Sequence, residues 1–458
     1  MSATEWQDRM KKVYEAVDCN KGEFLDALKE LLRRPSVSYT GEGVAECAEQ
    51  LRNWLESWGV TTRVVPTGGH PVVLGSLSPP SASRRVLIYG HYDVKQPGDL
   101  SEWETPPFEP VERNGCIYAR GATDNKGQLL ANALAVRTLH EMEKLPVKVI
   151  FLFEGEEEVG SKNLRSFAEA HREELKADLL YASDGPRHFS GRPTVFLGFR
   201  GLLRMRLTVR NEVGTHVHSG NFGEIIRNPA WDLVHLLHSM KSPEGEVLIP
   251  GYYDDVAPPS PLERQALSNM KGGEEEIRRS LGIERLYGPE GLSMDEKLMF
   301  RPTLTLEGFD CGMESTIIPG HATAYLDARL VKDMTPENTF RKIKGHIDAQ
   351  GVPHATLTRF SSYPPTKTPI DNPFVQIVLD AFENMHAEGI LEAPPVLQPT
   401  LGGSLGNDIF TETLGLPTLW VPYAQPNNGQ HGPNEHLRID HFITGIKMSA
   451  TALTALGR

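Results

Sequence analysis

The sequence predicts an α/β protein: a domain with a mainly parallel sheet flanked by helices, split by an inserted α+β unit. Three observations carry this. Short unbroken apolar runs at 85–89 (RVLIY), 147–153 (VKVIFLF), 178–182 (DLLYA) and 418–421 (TLWV) read as strands buried on both faces. Helical stretches at 126–143 and 162–175 lie between the first three runs, and strand–helix alternation is the pattern of a parallel sheet. Near residue 200 the texture changes. The segment GLLRMRLTVR (201–210) alternates apolar and polar residues, as a strand with one face in a core does.

Residues 23–34 (EFLDALKELLRR) carry apolar side chains at helical spacing, and Pro35 stops that helix. Residues 44–58 form a second amphipathic helix with Gly59 at its C-terminal cap. In the middle block, 322–331 (ATAYLDARLV) is a further alternating strand, and 229–240 and 336–349 are helical. The Pro/Gly-rich stretch 242–302 is predicted as long loops, and 361–373 (SSYPPTKTPIDNP) as a linker, after which the α/β texture returns. The expected bounds are 1–198 and 369–458 for the split domain and 199–368 for the insert.

Composition excludes several classes. The 458 residues hold 47 Lys+Arg against 60 Asp+Glu, a net charge of −13 that opposes binding to nucleic acid or to anionic membrane. No apolar run approaches the roughly 18 residues of a membrane span, and residues 1–12 show no apolar secretory stretch. The four cysteines, Cys19, Cys47, Cys116 and Cys311, form no CxxC pair and are expected to be buried structural thiols. The expected setting is the reduced cytoplasm.

Each buried strand leads into chemically active residues. Gly90-His91-Tyr92-Asp93 comes after the first, Glu154-Gly155-Glu156-Glu157-Glu158 after the second, Ser183-Asp184-Gly185 after the third, and His431 soon after the fourth. Parallel strands deliver their carboxyl ends to one edge of the sheet. Asp124 sits in a Gly-flanked loop before the 126–143 helix. Singly, each motif has a commonplace reading as a surface pair or an acidic turn; their shared position is the signal. Clustered carboxylates repel one another, and divalent cations remove that repulsion. His with Asp/Glu and no Cys suits Zn²⁺, Mn²⁺ or Co²⁺. Five ligands with one shared carboxylate would hold two ions about 3.5–4 Å apart. Asp93 is spaced to orient the His91 ring. Glu157 and Glu158 diverge, so one can bind metal while the other serves as general base.

Together these residues resemble the M20 metallopeptidase family, in particular its carnosinase-like dipeptidase branch. The matching pieces run in family order from residue 90 to 436. They are GHYDV (90–94), W-x-x-x-P-F-x-P (103–110), RGATDNKG (120–127), EGEEEVGS (154–161), SDG (183–185), RG (200–201), HSG (218–220), IIPG (317–320), ARL (328–330), GGS (402–404) and HGPNEH (431–436).

The resemblance implies a split catalytic domain and an inserted lid that dimerises. It implies two divalent ions, zinc with manganese or cobalt as alternatives. Asp124 would bridge them, His91 and Asp184 would serve one, and Glu158 and His431 the other. It also implies a cis peptide after Asp124, Glu157 as the base and Asp93 as the partner of His91. Val159-Gly160-Ser161 sets the register of the acidic run, so Glu156 is the extra residue. His218 would reach across the dimer to stabilise the oxyanion, with His216 a competing candidate. Arg329, Thr316 and Ser404 would grip the substrate carboxylate, and Gly402 and Gly403 would let backbone approach it.

The activity implied is hydrolysis of the amide bond of a dipeptide or similar small substrate with a free C-terminal carboxylate. Two alternatives stay open: an N-acyl amino acid deacylase on the same scaffold, and a non-catalytic metal-binding scaffold.

Overall fold

A computed structural model of the chain describes residues 2–270, 272–312 and 315–458. Among the described residues the largest sheet has eight strands. Their order is Thr61–Val65, Val72–Leu77, Lys148–Glu154, Arg85–His91, Leu179–Ala182, Thr418–Trp420, Thr194–Phe196 and Val396–Gln398. The middle four, from Lys148–Glu154 to Thr418–Trp420, run parallel. Antiparallel pairs extend the sheet at one side through Val72–Leu77 and at the other through Trp420 opposite Phe196.

The apolar runs are unbroken because both faces are covered. Val86 and Ile88 point into one core with Phe151, Phe153 and the helices Ala3–Cys19, Lys126–Glu141, Pro373–Ala387 and Ile439–Leu456. Leu87 and Tyr89 point into a second core with Ile150, Leu152, Trp420 and the helix Leu164–Ala170. Successive strand residues therefore serve opposite cores, as the pleat requires. The helix Lys126–Glu141 is buried nearly all round, since Ile439–Leu456 covers its outer side. Its Lys126 ammonium is buried and donates to the Leu31 and Arg34 carbonyls, which end the helix Lys21–Leu32. Gly59 has φ +81°, the left-handed geometry expected of a C-terminal cap.

The inserted unit is a separate antiparallel sheet with its own core. The strand order is Thr303–Cys311, His321–Leu330, Gly201–Arg210 and Ala355–Tyr363. Leu203, Met205, Leu207 and Val209 alternate into that core, and helices Pro229–Met240 and Pro336–Ala349 cover it. The chain enters and leaves this unit side by side: Phe199 lies opposite Thr366, and Gly198 opposite Lys367. A Cβ on Gly198 would come 1.9 Å from the Thr366 carbonyl oxygen, so glycine is required at that seam.

Several expectations need correction. The stretch 242–302 is not all loop, for it forms helices Pro261–Asn269, Gly273–Leu281 and Met294–Phe300. Two of these start on capping boxes, Ser260 with Glu263 and Ser293 with Glu296, and these S-x-x-E signals were legible beneath the Pro/Gly composition. The expected linker begins as strand, through Tyr363, and pairs again at Thr366–Lys367. The helix expected at 162–175 is only Leu164–Ala170. The first helix, Ala3–Cys19, was not anticipated, although Trp6, Met10, Val13 and Val17 recur at helical spacing on its buried side. Of the cysteines only Cys47 is buried; Cys19 is exposed, Cys116 and Cys311 are half-buried, and all four are unpaired.

The helix Ile439–Leu456 carries a pH liability. His441 is buried with Nε2 3.3 Å from Arg187 Nη1. Burial and then the Arg187 charge push its pKa down to about 3, against the opposing pull of Asp440. The unfolded chain binds a proton at this histidine near pH 6.5, whereas the native chain does not. Stability should therefore fall as pH drops below about 6.5, by up to about 1.4 kcal/mol per pH unit from this group. Urea midpoints measured from pH 7.5 to 5 should show a shallower pH slope for His441→Asn than for the wild type. Equal slopes would assign the acid sensitivity elsewhere.

Candidate active site

The parallel register brings the strand ends together. His91 is the last residue of its strand and is fully buried. The neighbouring strand ends at Glu154 and turns through Glu156 into the short 3-10 turn Glu157–Val159. Leu179–Ala182 leads into Ser183 and Asp184, and Thr418–Trp420 leads into the loop that carries His431. Asp124 approaches from the loop before Lys126–Glu141, and the Asp124–Asn125 peptide is cis, as the resemblance implied. The Asn125 side chain donates to the Ser183 carbonyl at 2.6 Å, tying that loop to the third strand end.

The five expected ligands meet. His91 Nε2 lies 3.0 Å from Asp124 Oδ1 and 3.5 Å from Asp184 Oδ2. His431 Nε2 lies 2.9 Å from Asp124 Oδ2 and 3.3 Å from Glu158 Oε2. Two groups result, each with its donor atoms within 4.8 Å of one another: His91, Asp124 and Asp184, and Asp124, Glu158 and His431. Asp124 belongs to both and offers one oxygen to each side.

The electrostatics report a concentration of negative charge. Burial works against the Asp124 carboxylate, yet hydrogen bonds from His431 and His91 pull its pKa well below the usual range. Asp124 and Glu158 in turn push His431 up to about 10. Burial, and after it the charge of Asp124, raises Glu158. Burial raises Glu157 strongly against the pull of His91, and the charges of Glu158, Asp184 and Asp124 add to it. The carboxylates thus draw both histidines toward the protonated form, at positions where a bound cation would take the place of those protons. A divalent ion also fits the donor set: mixed nitrogen and oxygen, no sulfur, and a buried Glu158 Oε1 without a partner among the described residues.

Asp93 stands where it was expected, with a further task. Its Oδ1 is 3.4 Å from His91 Nδ1, but its own carbonyl oxygen is nearer that nitrogen, at 3.1 Å. The carboxylate accepts from the backbone N–H of Glu157 at 3.2 Å and of Glu158 at 3.0 Å. It therefore fixes the turn that presents both glutamates as well as the histidine ring.

Sequence reasoning passed over the groups that hold Asp124. Glu435 is fully buried, and five donors converge on it. Oε1 accepts from Thr123 N and Thr123 Oγ1, both at 2.8 Å, and from Asp124 N at 3.1 Å. Oε2 accepts from Arg120 Nη1 at 2.8 Å and from Gly121 N at 3.0 Å. Gln430 Nε2 donates to Asp124 Oδ2 at 2.8 Å, and Lys95 Nζ lies 3.3 Å from Glu158 Oε2. The one sequence cue was an acidic residue directly before His436 in the 431–436 motif.

A cleft of about 560 Å³ opens on the cluster. Its walls include Asp124, Glu157, Asp184 and His431 together with Gly402, Gly403, Ser404, Arg200, Phe189 and Leu298. The residues expected from the insert are placed less uniformly. Arg329 is half-buried and donates to Asp327 Oδ1 at 3.1 Å and to Ser404 Oγ at 2.9 Å. Thr316 is exposed, and its carbonyl accepts from Ser219 N. His218 is exposed, with Nδ1 accepting from Gly220 N at 3.1 Å, and among the described residues no contact joins it to the cluster. His216 Nδ1 accepts from Gly320 N at 3.1 Å.

What this arrangement can do is activate water beside a carbonyl group, and the class it defines is the metal-dependent hydrolases. The sequence profile of Peptidase family M20/M25/M40 matches residues 87–455, and the chain belongs to that family. It is similar to the Cys-Gly metallodipeptidase dug1 of Schizosaccharomyces pombe, at 29% identity over 96% of this chain and 97% of that protein. It is also similar to the Beta-Ala-His dipeptidase of Rattus norvegicus, at 28% identity over 98% of this chain and 96% of that protein.

Among solved structures, an M20 family metallo-carboxypeptidase from Sulfolobus solfataricus superimposes with a TM-score of 0.86 at 33% identity, covering 95% of this chain and 99% of that one. Human carnosine dipeptidase 1 does so with a TM-score of 0.80 at 26% identity, covering 98% and 99%. The family and branch suggested by the motifs agree with these matches.

Proposed function

We propose that the protein is a dipeptidase that hydrolyses the amide bond of small substrates with a free C-terminal carboxylate. The observation that carries this reading is Asp124, shared between two histidine-containing groups in the cleft that also holds Glu157. His91 and Asp184 would hold one divalent ion, Glu158 and His431 the other, and Asp124 both. Zinc fits the donor set, as do manganese and cobalt. Bound there, such ions lower the pKa of water and favour charge on a carbonyl oxygen.

The chain's own groups do the rest. Glu157 accepts the proton of the attacking water and returns it to the leaving amine. Its burial keeps the proton affinity of the carboxyl high, which suits a group that must take up a proton and give it back. Asp93 holds Glu157, Glu158 and the His91 ring in register. Arg329, Thr316 and Ser404 orient the substrate carboxylate, with Gly402 and Gly403 allowing close approach.

The remaining assignments belong to the same reading. The catalytic halves are 1–198 and 369–458, and 199–368 is a lid. Two copies pair through their lids, so that His218 of one copy serves the oxyanion in the other. The four unpaired cysteines support a reducing, cytoplasmic setting.

Chelation tests the reading. Stripped protein should lose dipeptide hydrolysis by about two orders of magnitude or more, and Zn²⁺, Mn²⁺ or Co²⁺ should restore it. Restored activity only toward N-acetyl or N-succinyl amino acids would make the protein a deacylase. Two bound ions per chain with no turnover on either panel would make it a non-catalytic scaffold.

A further inference from the structure

Arg200 sits where the two sheets meet, between the seam strand Gly198–Phe199 and the inserted strand Gly201–Arg210. It is 8% exposed. Nε donates to the Gly402 carbonyl at 2.8 Å, which sets the plane of the guanidinium against the 402–404 turn. Nη1 is buried and has no partner among the described residues. The side chain lines the same cleft as Asp124, Glu157, Asp184 and His431.

The contrast with Arg329 decides the assignment. Arg329 already has a carboxylate partner, its Nε donating to Asp327 and its Nη1 to Ser404. Asp327 is the acidic group that acts on Arg200, and its Oδ1 is engaged with Arg329. Among the described residues Arg200 is therefore a buried cation without a carboxylate of its own. Burial and the Arg329 charge push its pKa down to about 10, so it remains a cation at neutral pH. A buried, unpaired charge is costly to keep, and a site that receives an anion removes that cost. A guanidinium presents its N–H groups as a fork, which matches a carboxylate.

We infer that Arg200 is a second carboxylate-binding residue of the cleft and receives a carboxylate of the substrate on its guanidinium. This rests on the dipeptidase reading. The carboxylate is either the C-terminal one or that of an acidic side chain.

The test is a ratio. Wild type, Arg200→Lys and Arg200→Gln are assayed on Ala-Ala against Ala-Ala amide, and on Ala-Asp and Asp-Ala against Ala-Asn and Asn-Ala. Binding of the C-terminal carboxylate predicts that the acid-over-amide ratio of kcat/KM falls at least tenfold in both variants, chiefly through KM. Binding of a side-chain carboxylate predicts that the Asp-over-Asn ratio falls instead, with the acid-over-amide ratio held. Equal loss on every substrate, or no change in either ratio, overturns the inference.

Should neither variant fold, the wild-type structure solved with N-acetyl-alanine and with N-acetyl-aspartate decides. A carboxylate within hydrogen-bond distance of the Arg200 guanidinium supports the inference, and carboxylates on Arg329 alone overturn it. Failure of the dipeptidase reading looks different, since the wild type would then hydrolyse none of these peptides. Binding of N-acetyl-alanine over its amide, present in the wild type and lost in Arg200→Lys, would still support the role of Arg200; equal binding in both proteins would overturn it.

Discussion

Replacing Glu157 with glutamine is expected to lower kcat for dipeptide hydrolysis by about 10²–10⁴-fold or more while leaving the metal content at the wild-type level. The two glutamates of the 3-10 turn are held by the same aspartate, yet they face different partners. Glu158 Oε2 reaches His431 and joins one of the two ligand groups, whereas Glu157 belongs to neither and lines the open cleft. The amide of glutamine keeps the size of the side chain and its position after Asp93, but it cannot take a proton from water. Glu158→Gln should behave in the opposite way, losing bound metal first and activity as a consequence. Steady-state kinetics beside elemental analysis separates the two. Persistent turnover in Glu157→Gln would remove Glu157 from the role of base.

Replacing Glu435 with glutamine is expected to destabilise the protein by about 3–5 kcal/mol, the cost of breaking a buried ion pair at one partner. Arg120 is 1% exposed and would keep its charge with no carboxylate opposite it. The new amide N–H₂ would also face a donor wherever it turned, because all five groups around Glu435 donate. Three of those donors belong to Thr123 and Asp124, so the loss reaches the shared ligand, and metal affinity should fall together with the urea midpoint. A midpoint within about 1 kcal/mol of the wild type, or unaltered metal affinity, would show that the Asp124 loop holds itself.

The candidate metal cluster was readable because its logic is local. Each ligand except Asp124 follows a buried strand, and parallel pairing then places the ends at one edge with no further information needed. Glu435 was not readable in this way. Its work depends on the chain returning to Thr123 and Asp124 from a distant loop, and nothing within the 431–436 motif separates it from a solvated glutamate. Arg200 was visible only as part of an RG pair, because being without a partner is a property of the folded surroundings. The helices between residues 261 and 300 were concealed by proline and glycine that in fact punctuate them. Pro261 occupies the first helical turn after Ser260, and Gly282 caps Gly273–Leu281 in the left-handed region. Composition over a long window hid what the S-x-x-E boxes stated residue by residue.

The seam at Gly198–Phe199 and Thr366–Lys367 makes the insert a cassette. Its entry and exit face each other across one antiparallel rung, so a tight turn of two residues could close the gap without shifting the register of either segment. Excision between Phe199 and Thr366 would spare His91, Asp124, Glu157, Glu158, Asp184, Ser404 and His431, and would take away Arg200, His218, Thr316 and Arg329 together. The candidate metal ligands and the two arginines proposed to bind carboxylate therefore lie on opposite sides of a single pair of cut points. A lineage could exchange or lose the insert with both of these arginines in one event and leave the five candidate ligands and the 402–404 turn in place.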